Sequence, residues 1–255
     1  MFDVAIFTAL GWERRAVTGV LLAVEPAGPP RTWRGRLADG ASCLVVQTGI
    51  GPARAAAAAA AAPPAGAFLA CGCAGALVDW LVAGDLVAAE SVIALGADGR
   101  PDELLPGVGA GLAAWAAGRG FRVHAGTLAA SPVVLGTAAA KAALGATGAL
   151  AVEMESGALA AAARARGIPF AALRAVLDAA GEALPGGAAV IDETSGEVRA
   201  VRALAEIALR PRLWPAAGRL ARRQRVAARR LAAIMAVLEV AALAAPREAA
   251  TAAGG

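Results

Sequence analysis

The chain has 255 residues, of which 58% are hydrophobic and 17% are charged, and its formal net charge is +4. This length suits one large domain with a sizeable core. Three cysteines and one histidine argue against a disulfide framework and against a zinc site, so we expect reduced thiols and no metal.

Strand-like and helix-like segments alternate over residues 1–178, which predicts an α/β fold with a central sheet and helices on both faces. The predicted strands are 2–10, 33–37, 42–47, 67–73, 84–87, 121–130, 148–152 and 170–177. One predicted helix begins at Trp12. Others cover 53–62, 112–117 and 137–144, and a further alanine-rich helix follows residue 155. We expect residues 98–111 to form a loop, because they are rich in glycine, proline and acidic residues.

Neither a signal peptide nor a spanning helix is predicted. The strand that starts near Asp3 leaves no room for a basic segment followed by an apolar one. The best candidate for a spanning helix, residues 231–245, is too short for a bilayer and contains Glu239. We therefore expect a cytoplasmic protein.

Two acidic residues follow neighbouring predicted strands. Residues 152–156 read V-E-M-E-S, and residues 174–178 read R-A-V-L-D. Carboxylates at the carboxyl ends of strands in a chain this poor in charge indicate a binding or catalytic site. Glu155 and Asp178 are the candidate pair.

Several segments in the same order resemble the purine nucleoside phosphorylase and nucleosidase superfamily. They are T-G-I-G at 48–51, C-G-C-A-G-A-L at 71–77, G-D at 84–85, V-E-M-E-S at 152–156 and the strand that ends at Asp178. The resemblance covers residues 2–185 and implies a nucleoside phosphorylase-like mixed sheet. It also implies an enzyme that breaks the N-glycosidic bond of a nucleoside without a cofactor, and a homo-oligomer.

The resemblance assigns roles to individual residues. Asp178 is the acid that protonates purine N7, Glu155 accepts hydrogen bonds from the ribose hydroxyls, and Met154 covers the sugar. Glu13 aligns with the carboxylate that activates water in nucleosidases. The remaining positions expected to contact substrate are Cys73, Ala74, Gly75 and Val133. Glu153 is expected to be a structural neighbour.

Two alternatives stay open at this site. The first is an ordinary structural role: Glu155 as a residue at a helix N-terminus, and Asp178 as a turn residue. The second concerns the group that receives the ribosyl cation, which is water or a phosphate co-substrate. Phosphate is predicted to lie near Gly49, Gly51 and Arg54. Cys73 and Ala74 stand where relatives usually offer a hydroxyl, which leaves hydrolysis and phosphorolysis unresolved.

The C-terminal part is predicted to be a basic helical arm, residues 197–255, that follows a catalytic domain of residues 1–196. Trp214, Leu220, Leu231, Met235 and Leu238 share one helical face with Ala217, Ala221 and Ala228, while six arginines between 219 and 230 fall mostly outside it. This pattern is typical of a helix at a membrane surface, and an ordinary packed helix is the alternative. Nucleic acid is not expected, because no stacking aromatics lie among the arginines.

The segment from Leu209 to Pro215 and the one after Asp178 resemble the hopanoid-associated phosphorylases. That resemblance implies adenosylhopane as the substrate, adenine as a product and association with the inner face of the membrane. The alternatives are a soluble nucleosidase for methylthioadenosine, S-adenosylhomocysteine or futalosine, and a nucleoside-binding protein without turnover.

Overall fold

The computed structural model describes residues 1–28, 31–182 and 214–244. The strands in these residues are β1 Val4–Thr8, β2 Leu22–Pro26, β3 Thr32–Arg36, β4 Ser42–Gln47, β5 Phe68–Ala76, β6 Leu86–Leu95, β7 Pro101–Pro106, β8 Val123–Ala130, β9 Ala151–Glu153 and β10 Phe170–Asp178. The helices are α1 Gly11–Thr18, α2 Pro52–Ala61, α3 Gly109–Ala117, α4 Ala138–Gly145, α5 Ser156–Ala165 and α6 Trp214–Met235, followed by a short 3-10 helix, Val240–Leu243.

Strand β5 lies at the centre of the sheet. It pairs in parallel with β1 and with β10, and its carboxyl end also pairs antiparallel with β9. From β10 the pairing continues through β6 and β8 to β9 and so returns to β5, which closes five strands into a ring. On the other side of β5, strands β1, β4, β3 and β2 extend the sheet. The mixed sheet predicted from the sequence is therefore confirmed.

Helices cover both faces of this sheet, as predicted. Side chains alternate along β5, so that Leu69 and Cys71 join one core cluster and Phe68 and Ala70 join the other. The first cluster packs against α1, α3 and α6, and the second packs against α2 and α5. Small alanine side chains let α2 and α5 approach the sheet closely, with Ala55, Ala59 and Ala163 fully buried.

Two strands were missed by the sequence analysis. All five residues of β2 are exposed, so the strand has no buried face to produce an alternating pattern. The predicted loop at 98–111 contains β7, which pairs antiparallel with β6 and buries only Leu105 among its six residues. Both strands depend on pairing with a neighbour rather than on their own hydrophobic pattern.

Helix α6 packs on the domain. Ala227, Leu231, Ile234, Met235 and Leu238 are buried in the same core cluster as α1 and β5. Ala227 and Ile234 were not on the predicted apolar face, whereas Ala221, which was, is exposed. The predicted domain boundary at 196/197 lies outside the described residues. Within those residues, no helix combines the length and apolar character needed to span a bilayer.

Candidate active site

The candidate residues gather around the carboxyl-terminal half of β5. On one side of this strand, Arg174 of β10 lies opposite Gly72, and Asp178 lies opposite Gly75. On the other side, Val152 of β9 also pairs with Gly75, which brings the turn before α5 to the same place. Because Gly72 and Gly75 are three residues apart on one strand, they are separated by roughly 10 Å.

Arg174 is a charged residue in the middle of a buried strand, only 1% exposed. Its Nη2 donates to the carboxylate of Glu153, donates to Ser156 Oγ at 3.0 Å, and lies 3.9 Å from Glu155 Oε2. Burial lowers the pKa of the guanidinium, but the carboxylates of Glu153 and Glu155 raise it, and the net direction is upward. Arg174 is therefore a permanent positive charge among acidic side chains.

Glu153 holds the start of α5. Its carboxylate accepts the backbone N–H of Glu155 at 3.0 Å and that of Ser156 at 3.0 Å. These are N–H groups at a helix N-terminus, which have no acceptor within the helix. With the additional bond from Arg174, Glu153 is fully engaged by the protein, as expected for a structural neighbour.

The side chain of Glu155 points away from α5 and contacts the loop before α2. Its Oε1 accepts the backbone N–H of Gly51 at 2.8 Å, and Glu155 makes no side-chain cap on α5. Gly51 has φ of 104°, a conformation that favours glycine. Burial, and next the charge of Glu153, raise the pKa of Glu155 to about 8. Glu155 thus stands at the N-terminus of α5, as the structural alternative expected, but its side chain bonds to a different segment.

Glu13 reaches the cluster from α1. Its Oε2 accepts the N–H groups of Ala9 at 3.0 Å and Leu10 at 2.8 Å, and its Oε1 accepts the N–H of Cys73 at 2.8 Å. A Cβ atom added at Gly72 would lie 2.7 Å from Arg174 Nη1 and 2.8 Å from Glu13 Oε1. The absence of a side chain at Gly72 is therefore what lets these two groups meet over β5.

Asp178 ends β10 and is 5% exposed. A Cβ atom at Gly75 would lie 3.0 Å from its Oδ2, so the carboxyl group sits directly against β5. The Lys141 ammonium donates to Oδ2 of Asp178 and to the carbonyl oxygen of Ala179 at 2.9 Å. Burial raises the pKa of Asp178, while the bond from Lys141 opposes that rise; the net direction is upward.

The other residues predicted to contact substrate differ in exposure. Cys73, Gly75 and Met154 are partly exposed next to the acids, and Ala74 is buried. All three cysteines are free thiols, although Cys73 is less buried than the sequence analysis expected. Val133, in the segment between β8 and α4, is 59% exposed.

The residues predicted to bind phosphate lie in the turn before α2 and in the first turn of that helix. Gly49 is buried, and the N–H of Gly51 is bonded to Glu155. Arg54 lines a separate cavity of about 530 Å³ with Gln47, Thr48 and residues of α2, and none of the three candidate acids lines that cavity. The phosphate site stays a prediction, with the N–H of Gly51 already bonded to Glu155.

Comparison with known proteins decides the family. A model of the phosphorylase superfamily matches residues 3–210. The chain belongs to the phosphorylase superfamily. The expected class of enzyme, a nucleoside phosphorylase or nucleosidase, is thereby confirmed.

Solved structures share the superfamily fold. A Neisseria meningitidis 5′-methylthioadenosine/S-adenosylhomocysteine nucleosidase in complex with methylthio-immucillin-A is 22% identical with a TM-score of 0.67, over 93% of this chain and 100% of that one. The Helicobacter pylori futalosine hydrolase is 22% identical with a TM-score of 0.62, over 70% of this chain and 85% of that one. No curated protein matches the chain. The hopanoid-associated branch stays a prediction.

Sequence reasoning gave no role to Arg174 or Lys141. Arg174 was quoted within the motif, and its signal is a charge inside the apolar strand β10. Lys141 is the only lysine of the chain and lies among alanines in α4. In both cases the partner is distant in sequence, so the pairing is not visible before folding.

Proposed function

We propose that the protein cleaves the N-glycosidic bond of an adenine nucleoside that carries a 5′ substituent, and releases adenine. The observation that carries this proposal is the placement of two buried carboxylates, Glu13 and Asp178, against the carboxyl-terminal half of β5, with a third, Glu155, 3.9 Å from Arg174 of the next strand. A buried acid is suited to protonating a leaving group, and a carboxylate beside it is suited to holding sugar hydroxyls.

In the proposed reaction the C1′–N9 bond breaks, and its electron pair stays with the purine. Asp178 gives its proton to N7 of the leaving base, a contribution of roughly 10²–10⁴-fold. The raised pKa of Asp178, caused by burial, favours the protonated acid that this step needs. Glu155 accepts hydrogen bonds from the ribose hydroxyls, which favours its ionised form in the complex, and Met154 packs on the sugar.

We favour water over phosphate as the acceptor of the ribosyl group. Three backbone N–H groups fix the Glu13 carboxylate, so it is positioned to accept the proton of an attacking water. Two of the cations near Glu13 support a phosphate site poorly, because Arg174 is engaged by Glu153 and Arg14 stacks on Trp33 at 4.4 Å. Phosphorolysis is the competing outcome of the experiment below.

For the 5′ substituent we propose hopane, and for the location the inner face of the membrane. The support is the resemblance to the hopanoid-associated branch, although most of the residues that carry it lie outside the described ranges. A second support is the surface of α6, where Arg219, Arg222, Arg225, Arg229 and Arg230 are exposed. A soluble nucleosidase for methylthioadenosine or a related nucleoside is the second candidate, favoured by the fold shared with such enzymes.

Exposed apolar side chains lie next to this basic surface. Gly84 contacts α6 so closely that an added Cβ would lie 2.6 Å from Val226, and Arg230 donates to its carbonyl oxygen at 3.3 Å. Just before Gly84 in the chain, Trp80 is 54% and Val82 is 59% exposed. An aromatic and aliphatic patch beside arginines suits the boundary of an anionic bilayer.

Adenine release from adenosylhopane and from methylthioadenosine, with and without phosphate, tests the proposed reaction. We expect release without phosphate, faster with adenosylhopane, and no release by the Asp178→Asn variant. Release only in the presence of phosphate would replace hydrolysis by phosphorolysis. Binding of both nucleosides without release under any condition would leave a nucleoside-binding protein.

Flotation with anionic vesicles tests the membrane contact. Deleting the C-terminal part is a poor test, because Leu231, Ile234 and Leu238 fill the core. We instead expect the triple change of Arg222, Arg225 and Arg229 to Gln to reduce flotation strongly at low salt. A matched variant changes three exposed arginines elsewhere to Gln, namely Arg36, Arg100 and Arg122. Equal flotation of the two triple variants would count against α6 as the membrane-binding surface.

A further inference from the structure

Lys141 is the only lysine in the sequence, and its side chain is 1% exposed. It lies in the middle of α4, where its neighbours are alanines. Burying an ammonium group is costly unless its charge is compensated and its protons are bonded. Here one bond goes to the Asp178 carboxylate and another to the carbonyl oxygen of Ala179, the next residue.

From these contacts we infer that Lys141 is a positioning residue for the acid: it holds the Asp178 carboxyl group against β5 and sets the pH range in which that group carries a proton. The inference rests on the proposed function, in which Asp178 is the proton donor. A plain structural ion pair would also explain the burial of both groups, but it predicts no effect on the pH dependence of catalysis.

The helix that carries Lys141 is anchored independently of β10. Thr137 caps its N-terminus by accepting the N–H of Ala140 at 3.2 Å. At the other end, Leu144 packs in a cluster with Leu77, Ala129 and Val152, from the end of β5, β8 and β9. The position of the ammonium group beside Asp178 is therefore set by α4 and its contacts.

Other charged groups near Asp178 come from two further elements. Glu182 follows β10, and Arg223 of α6 donates to Glu182 Oε1 at 2.8 Å. Burial raises the pKa of Asp178, Lys141 lowers it, Glu182 raises it and Arg223 lowers it. Glu182 and Arg223 neutralise each other and are more exposed than Lys141. We therefore expect the pKa of Asp178 to change most when the charge of Lys141 is removed.

The direction of the expected change follows from this arrangement. The ammonium group stabilises the ionised carboxylate, so its removal makes Asp178 hold its proton to higher pH. A general acid works only while protonated, so the rate falls as pH rises through its pKa. In Lys141→Met this fall moves to higher pH, by about 1 unit or more, which is the range for a carboxylate that loses a close opposite charge.

The test compares pH profiles of kcat and KM for adenine release by wild type, Lys141→Met, Lys141→Gln and Lys141→Arg. We expect the ratio of kcat in Lys141→Met to kcat in wild type to rise with pH, with little change in KM. In Lys141→Arg, which keeps the charge, we expect kcat to fall with rising pH over the same range as in wild type. The control is Arg122→Met, which removes an exposed cation. If kcat of an active Lys141→Met or Lys141→Gln variant falls at the same pH as kcat of wild type, the inference is overturned and the proposed function still stands.

A second measurement does not depend on turnover. The infrared carbonyl band of protonated Asp178, identified by its loss in Asp178→Asn, is titrated in wild type and in whichever Lys141 variants fold. A higher midpoint in Lys141→Met or Lys141→Gln supports the inference, and an unchanged midpoint overturns it. Absence of adenine release by wild type from every nucleoside tested would instead overturn the proposed function.

Discussion

The acids near Gly72 and the acid near Gly75 of β5 are held in different ways. Around Arg174, the carboxylates of Glu13, Glu153 and Glu155 accept hydrogen bonds from backbone N–H groups of four segments. Gly72 leaves room for Arg174 and Glu13 and for no side chain of its own. Asp178 instead depends on one buried side chain, Lys141, and lies against Gly75. The first region is rigid because backbone groups of several elements hold its carboxylates. The second depends on a single buried ion pair.

The strongest contrast comes from Asp178→Asn. We expect a loss of turnover of about 10²–10⁴-fold, because the proton donor is removed. We also expect a loss of up to about 3–5 kcal/mol in unfolding free energy, because the Lys141 ammonium group stays buried without its charge partner. Adenine release and urea unfolding measure the two effects. Asp79→Asn, at an exposed position, serves as the control and should match wild type. Near-normal turnover in Asp178→Asn would rule out Asp178 as the acid.

Arg174→Met tests the rigid region. Removing the buried cation leaves the charges of Glu153 and Glu155 without compensation, so we expect a loss of about 3–5 kcal/mol in unfolding free energy. Urea denaturation measures this loss. The matched change Arg34→Met breaks an exposed pair with Glu25 and should cost under about 1 kcal/mol. Similar losses in the two variants would mean that the Arg174 cluster does not stabilise the fold.

A pair of glycine substitutions sharpens the comparison. An added Cβ at Gly72 would lie under 3 Å from both Arg174 and Glu13, so we expect Gly72→Ala to lower stability by about 1–3 kcal/mol as well as activity. The three atoms nearest to an added Cβ at Gly75 all belong to the Asp178 carboxyl group, the closest at 3.0 Å. We expect Gly75→Ala to lower kcat about 10-fold through displacement of the acid, with stability nearly unchanged. Equal losses of stability in Gly72→Ala and Gly75→Ala would contradict the proposed difference between the Arg174 region and the Asp178 region.

The smallest expected effect is a pH dependence of stability. Because the pKa of Glu155 rises from 4.5 to about 8 on folding, the folded state binds more protons than the unfolded state between these values. The stability contributed by the protonated form is present below pH 4.5 and is lost as pH rises towards about 8. Relative to Glu155→Gln, the unfolding free energy of wild type should fall by up to about 1.4 kcal/mol per pH unit.

Urea denaturation at several pH values measures that difference, and Glu90→Gln, at an exposed position, is the control. A difference between wild type and Glu155→Gln that is constant from pH 4.5 to 8 would contradict the burial of an acid with a raised pKa.

Most strands and helices were predictable from local patterns. The buried strands β1, β5 and β10 are nearly continuous apolar segments, and Pro52 and Pro63 bracket the alanine helix between them. Strands β2 and β7 were not predictable, because one is exposed throughout and the other buries a single leucine. Their conformation follows from the strand beside them.

The sequence by itself contains the superfamily motifs and predicts Glu13, Glu155 and Asp178 as site residues, because these acids stand next to strand and turn patterns that can be recognised locally. Only the tertiary structure decided which groups hold them. Gly51 binds Glu155 from a position 104 residues away, and Lys141 reaches Asp178 across 37 residues. Burial and pairing of charges depend on contacts between distant segments, and no local pattern encodes such contacts.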